Sequence, residues 1–301
     1  MILSMVQNVM LPITFLIVVG VVWQKVHPVP LKPLTHLVLY VMAPALTLAS
    51  LIRSTVGGDE AFAIVAFVLL STLGVGAVSY TSGRAMNFDG GSQKALLMAT
   101  LFRNTGNYGF PVALFAFGES GLDRAVVFNV VEGVLLSTLA VFIAASGAAN
   151  SRQALMTVVK FPLLHATIVA AAMNAMGLDL PDEVFKPLAM LGDATIPVAL
   201  VLLGAQLANT SLVADLGRIG LAVFIRLLVA PMAGGLLVMV LGMTSLSGKV
   251  SLVMSAMPTA VFASVLATEF DLEPEFVASA VLVSTVLSVF TVGAVLSIVG
   301  S

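Results

Sequence analysis

Apolar stretches of bilayer-crossing length follow one another along this chain with only short polar punctuation between them. A transmembrane helix needs about 20 mostly apolar residues. Ten stretches meet that requirement, at roughly 4–24, 33–53, 61–82, 94–118, 123–146, 155–177, 183–207, 217–242, 249–269 and 275–299. Only 9% of the 301 residues are charged and 59% are hydrophobic. A soluble domain carries roughly 25% charged residues, so this chain cannot cover a globule of its size with solvated side chains. Its outer surface must meet lipid, and the reading is an all-α integral membrane protein. The breaks fall where charge meets Gly or Pro, as in Asn87-Phe88-Asp89-Gly90-Gly91 and Asp179-Leu180-Pro181-Asp182-Glu183. No loop is long enough to form a separate soluble domain.

Several classes are excluded by what the spans lack. The formal net charge is -2 with no basic run, which argues against a nucleic-acid partner. Without cysteine there is no disulfide, thiolate metal site or cysteine nucleophile. His27, His36 and His165 lie far apart, and no His–carboxylate pairing at helical spacing supports an intramembrane enzyme. No metal or organic cofactor is called for. Met1 to Met10 is apolar with no basic lead-in, and reads as the start of the first span rather than a cleaved signal. With both termini outside, the inner loops hold Lys25, Lys32, Arg84, Lys94, Arg152, Lys160 and Arg218, against Arg53, Arg124, Lys186 and Lys249 in the outer ones. Positive charge favours the cytoplasmic side, so the expectation is a multi-pass protein of the inner membrane with both termini outside the cytoplasm.

The chain also resembles itself at an offset of about 150 positions. Tyr40-Val41-Met42-Ala43-Pro44-Ala45-Leu46 in span 2 sits like Asp193-Ala194-Thr195-Ile196-Pro197-Val198-Ala199 in span 7. Leu136-Ser137-Thr138-Leu139 in span 5 corresponds to Val283-Ser284-Thr285-Val286 in span 10. Five spans per half is an odd number, so the second half must enter the membrane upside down. Such inverted repeats mark secondary transporters. The expected halves are 1–146 and 154–301.

Chemistry concentrates at two interruptions. In span 4, Arg103-Asn104-Thr105-Gly106-Asn107-Tyr108-Gly109-Phe110-Pro111 places two glycines, two asparagines and a proline inside an apolar helix. Proline lacks the N–H and clashes with the preceding turn, and glycine favours non-helical torsions, so the helix should break there. Met257-Pro258-Thr259-Ala260 offers the matching break in span 9. Irregular backbone at membrane depth is tolerated only inside protein or against a wet cavity. A second half-helix starting near Tyr108 to Phe110 presents free N–H groups and the positive end of its dipole, which suits an anion. The bland alternative is a pair of ordinary proline kinks. Arg103, which abuts the first break, and Glu132, Asp193 and Arg226, which lie mid-span, are each costly there and functional candidates. They are candidates for coupling or gating, and the alternative for each is a buried pair that fixes helix packing. On its own helix Glu132 has nothing to neutralise it, since Phe128, Asn129, Leu135 and Leu136 stand one turn away. It is the expected point of coupling to a proton or sodium ion.

Together these segments resemble the auxin efflux carrier family, which includes bacterial malate and malonate permeases and plant PIN-type auxin exporters. The likeness runs the length of the chain through Ala43-Pro44-Ala45-Leu46, Asn104-Thr105 with Gly109-Phe110-Pro111, Leu191-Gly192-Asp193-Ala194, Arg226 ahead of Pro231, and Met257-Pro258 followed by Ala267-Thr268-Glu269-Phe270-Asp271-Leu272. The resemblance implies the fold of bile-acid symporters and NhaA, with helices 4 and 9 crossing at their breaks. It implies a scaffold bundle (spans 1, 2, 6 and 7) and a mobile elevator-like transport bundle (spans 3–5 and 8–10). A small carboxylate then sits beside Asn104, Thr105, Gly106, Asn107, Tyr108, Pro258 and Thr259. Asp193 and Arg226 stabilise helices or gate. The long plant loop between helices 5 and 6 is only Gly147 to Gln153 here, and Glu132 stands where plant members carry a glutamine. The expected partners are lipid and a small carboxylate, with a homodimer left open. The nearest rival is a sodium-coupled bile-acid-type symporter, which should crowd more carboxylates around the crossing. From another class, a non-transporting membrane scaffold needs no pair of broken helices.

Overall fold

The computed structural model describes residues 2–144, 162–213 and 215–300, and within them every regular element is helical. The junction between spans 5 and 6, with Arg152, Lys160 and the Gly147 to Gln153 loop, lies outside the described residues. The helices in order are α1 (Ile2–Val26), α2 (Lys32–Ile52), α3 (Gly58–Ala85), α4 (Gly90–Leu101), α5 (Phe110–Leu135), α6 (Pro162–Ala175), α7 (Asp182–Ala208), α8 (Leu216–Val240), α9 (Leu246–Ser255), α10 (Val261–Glu269) and α11 (Pro274–Val299).

Six of these are long and apolar enough to cross a membrane: α1, α2, α3, α7, α8 and α11. The difference from the ten expected spans has local causes. Spans 4 and 9 are each divided by an interruption into short halves, α4 from α5 and α9 from α10. The helix α5 continues from the fourth span into the fifth through a reversal at Gly118, whose φ of 68° and ψ of -165° only glycine adopts readily. It also carries Glu119, Asp123, Arg124 and Glu132, which dilute its apolar character. Helix α6 is described only from Pro162.

Prolines shape the long helices through π-turns. One at Val38–Met42 precedes Pro44, one at Thr105–Gly109 precedes Pro111, and one at Ile225–Val229 precedes Pro231. A proline clashes with the carbonyl four residues earlier and cannot bond it. In all three cases that carbonyl, of Tyr40, Asn107 or Leu227, belongs to the widened turn, which absorbs the mismatch. Helices α1 and α7 pack closely, because a Cβ at Gly20 or Gly204 would collide with the carbonyl of Val201 or Ile17 respectively. Small residues at such crossings let backbones approach when lipid offers no hydrophobic drive.

The main core gathers Phe67, Tyr108, Phe110, Phe128, Leu200 and Met254 around the broken segments. Polar side chains pair at the helix ends. At the start of α3, Glu60 accepts from Arg124 at 2.7 Å and from Ser247 at 2.5 Å, and Ser247 in turn accepts from Arg124 at 3.2 Å. At the start of α8, Arg218 donates to Glu273 at 2.7 Å and to Ser92 at 2.8 Å, while Ser92 donates to Glu273 at 2.6 Å.

Candidate functional site

The two interruptions meet. Arg103 and Thr259 form an isolated antiparallel bridge. The Asn104 N–H donates to the Pro258 carbonyl at 2.8 Å, and the Ala260 N–H donates to the Phe102 carbonyl at 2.9 Å. Backbone freed by one break is therefore satisfied by the other, which answers the cost of irregular structure away from water. Side chains complete the crossing. The Thr259 hydroxyl donates to the Ala99 carbonyl at 2.7 Å, and the Thr259 N–H donates to the Ser284 hydroxyl at 3.1 Å.

Behind the crossing lies Arg226, with no exposed surface. Its guanidinium donates to the Thr100 carbonyl at 2.8 Å and the Ser255 carbonyl at 2.6 Å. These carbonyls belong to the last turns of α4 and α9, where helices leave acceptors unpaired and carry the negative end of their dipoles. One arginine thus caps both first half-helices.

The breaks open on a cavity of about 130 Å³. Its polar wall carries Arg103, Asn104, Thr105, Asn107, Asn129 and Glu132. Arg103, 2% exposed, donates to one Glu132 oxygen at 2.6 Å through its side chain and to the other at 2.8 Å through its backbone N–H. It also donates to the Ser71 hydroxyl at 2.7 Å. Both Glu132 oxygens accept, as those of a carboxylate do. Nothing on its own helix neutralises Glu132, and its partner comes instead from the broken segment of span 4. Two donors in the cavity-lining residues have no partner, Arg103 Nε and the side-chain amide of Asn104, which is 5% exposed. The Thr105 hydroxyl donates to Asn129 at 2.7 Å. Phe110, Val261 and Phe262 line the cavity from the first turns of α5 and α10, where backbone N–H groups lack helical acceptors.

The other sequence-selected residues are placed differently. Gly106 lines the cavity, whereas Pro258 and Thr259 hold the crossing from behind it. Tyr108 is wholly buried in the core with its hydroxyl 4.0 Å from the Met10 sulfur, so its side chain does not reach the cavity. Asp193 is exposed at the break between the two parts of α7 and does not join Arg103, Glu132 and Arg226. Sequence reading passed over Asn129, Ser137, Leu163 and Thr195, all on the cavity wall. For α5 a signal existed. Asn129, Glu132, Gly133, Leu136 and Ser137 recur at the three- and four-residue spacing of one helix face, and all five line the cavity.

A bundle of long apolar helices around two paired helix breaks, with buried charge at the breaks, has the construction of a membrane transporter. The model of the membrane transport protein family matches residues 5–295, and the chain belongs to that family, the auxin efflux carriers. It is similar to an uncharacterized transporter of Methanothermobacter thermautotrophicus, 27% identical over 85% of this chain and 84% of the relative. It is likewise similar to an uncharacterized transporter of Methanocaldococcus jannaschii, 26% identical over 87% of each chain.

Proposed function

We propose that the chain is a secondary transporter that carries a small organic anion across the inner membrane by alternating access. The observation that carries this reading is the pair of unpartnered buried donors, Arg103 Nε and the Asn104 amide, in residues lining a cavity at the crossing. A buried donor without an acceptor costs about 1–3 kcal/mol. A bound carboxylate supplies acceptors for both, and the first turns of α5 and α10 add dipoles of the right sign. Arg103 supplies the positive charge of the cavity wall, while Arg226 behind it is taken up by the carbonyl ends of α4 and α9.

The proposed architecture is ten spans in two inverted halves, 1–146 and 154–301, with spans 1, 2, 6 and 7 as scaffold and spans 3–5 and 8–10 as the moving bundle. Two correspondences support it. The Arg103 N–H donates to Glu132 of span 5 and the Thr259 N–H to Ser284 of span 10. The Glu60–Arg124–Ser247 cluster draws on spans 3, 5 and 9, and the Arg218–Glu273–Ser92 cluster on spans 8, 10 and 4, with acid and base exchanged. Each cluster ties three spans of the proposed moving bundle together, as elevator-like motion of one body requires. The substrate carboxylate and Glu132 share the Arg103 guanidinium, which makes Glu132 the point at which ion coupling works.

A thermal-shift screen of the purified protein against organic acids, with and without sodium, tests the reading. It predicts stabilisation by at least one small carboxylate and none by organic cations of similar size. Stabilisation by cations alone contradicts it.

A further inference from the structure

A polar contact also joins the two proposed bundles away from the crossing. The Ser50 hydroxyl, near the end of α2, donates to the Asp123 carboxyl of α5. On the same two helices Ala43 clusters with Val130. Both pairs fit one antiparallel stripe, in which Ala43, Thr47 and Ser50 at helical spacing face Val130, Val126 and Asp123 at the same spacing. Thr47 and Val126, between the two pairs, have no exposed surface. The cavity takes Leu39 and Ser137 from these helices, about three turns along α2 from Ser50 and about four along α5 from Asp123. The Ser50–Asp123 contact therefore closes the face opposite the cavity, which is the outer face in the proposed topology.

Carboxyls gather at this contact. Glu119 stands one turn before Asp123 on α5, and it interacts electrostatically with both Asp123 and Asp193 of α7. Among the described residues none of the three forms an ion pair. The cations around them are engaged elsewhere. Arg124 acts on Asp123 from the next position, but its fork lies on Glu60 at 2.7 and 2.9 Å and on the Ser120 carbonyl at 2.8 Å. Arg53 stacks 3.7 Å from the centre of the Phe185 ring and pairs with Asp179, and Lys186 pairs with Asp182. From α2 and the turn after it Asp123 meets hydroxyls alone, those of Ser50 and Ser54. Partial burial first, and then the charges of Asp193 and Asp123, hold the Glu119 carboxyl above the ordinary glutamate range. Carboxylates brought together between two bodies repel and lose water, and a proton relieves both costs. The Ser50 hydrogen bond survives protonation, because a hydroxyl can accept from a carboxylic acid as well as donate to a carboxylate. The closed arrangement thus binds more protons than the separated one. Acid favours it, and a pH rising through the carboxylate range, from about 4 upward, releases it.

We propose that Ser50, Glu119, Asp123 and Asp193 form a proton-held latch that keeps the two bundles closed on the face opposite the cavity. The latch rests on the proposed division into a scaffold and a moving bundle, and is independent of what the cavity binds.

The chain has no cysteine, so single introduced thiols report on the latch in the full-length protein. Thr47→Cys places one inside the stripe. Gly57→Cys, exposed after α2 with open space around its Cβ, is the reference whose own thiol titration cancels. Modification by a membrane-impermeant maleimide is measured in membrane vesicles, from the face on which the reference reacts. The rate at Thr47→Cys relative to the reference should rise roughly three- to tenfold between about pH 4.5 and pH 7.5. Asp123→Asn keeps an acceptor for Ser50 without the charge, and should hold the relative rate at its acid value throughout. Ser50→Ala removes the partner, and should raise the rate at acid pH. Val126→Cys, on the facing side of the stripe, repeats the measurement and replaces Thr47→Cys if that variant does not fold. A relative rate that is flat with pH, or that Asp123→Asn leaves unchanged, overturns the latch and leaves the two-bundle motion standing. No modification of either thiol at any pH, with Ser50 or with Ser50→Ala, overturns the latch together with the motion on which it rests.

Discussion

Arg226 is among the largest side chains without exposure, and its partners are carbonyls rather than carboxylates. Removing a charge from water is costly at any depth of a membrane protein, and here the return is structural: the acceptors of two interrupted helices are satisfied by one group. Arg226→Met leaves both carbonyls buried and unpaired, and should lower the stability of the purified protein by about 2–3 kcal/mol, read as an earlier thermal transition in detergent. Arg226→Lys keeps the charge but lacks the planar fork that spans two acceptors, so its loss should be intermediate. Equal stability of the parent and the Met variant would remove Arg226 from this role. Glu132 works through a different balance, because the charge it offsets belongs to the cavity-lining Arg103. Glu132→Gln keeps the shape and some hydrogen bonding while removing the negative charge. We expect transport by this variant to lose the pH or sodium dependence of the parent, and retention of the same dependence assigns coupling to another group.

At the scale of elements, the helix breaks were readable because they are local chemistry. Glycine, asparagine and proline concentrated in an apolar run cannot continue a regular helix; the first interruption falls where all three gather and the second at a lone proline, Pro258. The fourth span ends at Gly118 for the same reason, through a backbone conformation closed to other residues. Gly118→Ala should cost about 1–3 kcal/mol, measurable as reduced thermal stability with the helix content unchanged. The partners of the broken segments were not readable. Arg103 meets Glu132 from 29 positions away and Ser71 from 32, and no periodicity within one helix encodes such contacts. The burial of Tyr108 against α1 and the exposure of Asp193 were equally hidden, since both depend on which face of a helix its neighbours cover. The π-turns ahead of Pro44, Pro111 and Pro231 escaped because a proline predicts disruption without specifying its form.

The start of α8 adds a pH-dependent element. Asp215 caps this helix by accepting the Arg218 N–H at 3.1 Å and pairs with the Arg218 side chain. These contacts, the side-chain hydrogen bond first, hold its carboxyl below the ordinary aspartate range. A carboxyl depressed in the folded state stabilises above its unfolded value, about 3.9, and loses that contribution as pH falls through the folded one. Asp215→Asn keeps a capping oxygen but not the charge. Its melting temperature should lie slightly below the parent's at pH 7, and the gap should close below about pH 4. A gap that persists or widens in acid contradicts this account.

Across the whole molecule, the proposed topology brings both termini to the outer side, because ten spans return the chain to the face it left. A C-terminal alkaline phosphatase fusion, active only outside the cytoplasm, should therefore be active, and a fluorescent protein that matures only in the cytoplasm should stay dark. The reverse pattern would overturn the orientation. The proposed function depends at this scale on the crossing holding an anion while the bundle around it moves. Counterflow in proteoliposomes joins the two requirements, since loaded unlabelled acid must exchange for labelled acid outside. The decisive comparison is counterflow of a radiolabelled carboxylate that stabilises the purified protein, by the parent and by Asn104→Ala, with matched incorporation of both proteins. The amide removed is one of the two unpartnered buried donors, and a hydrogen bond to a charged group is worth about 1.5–3 kcal/mol. The account predicts saturable exchange by the parent and a ten- to hundredfold rise in KM for the variant. Exchange by Asn104→Ala with unchanged KM would contradict it.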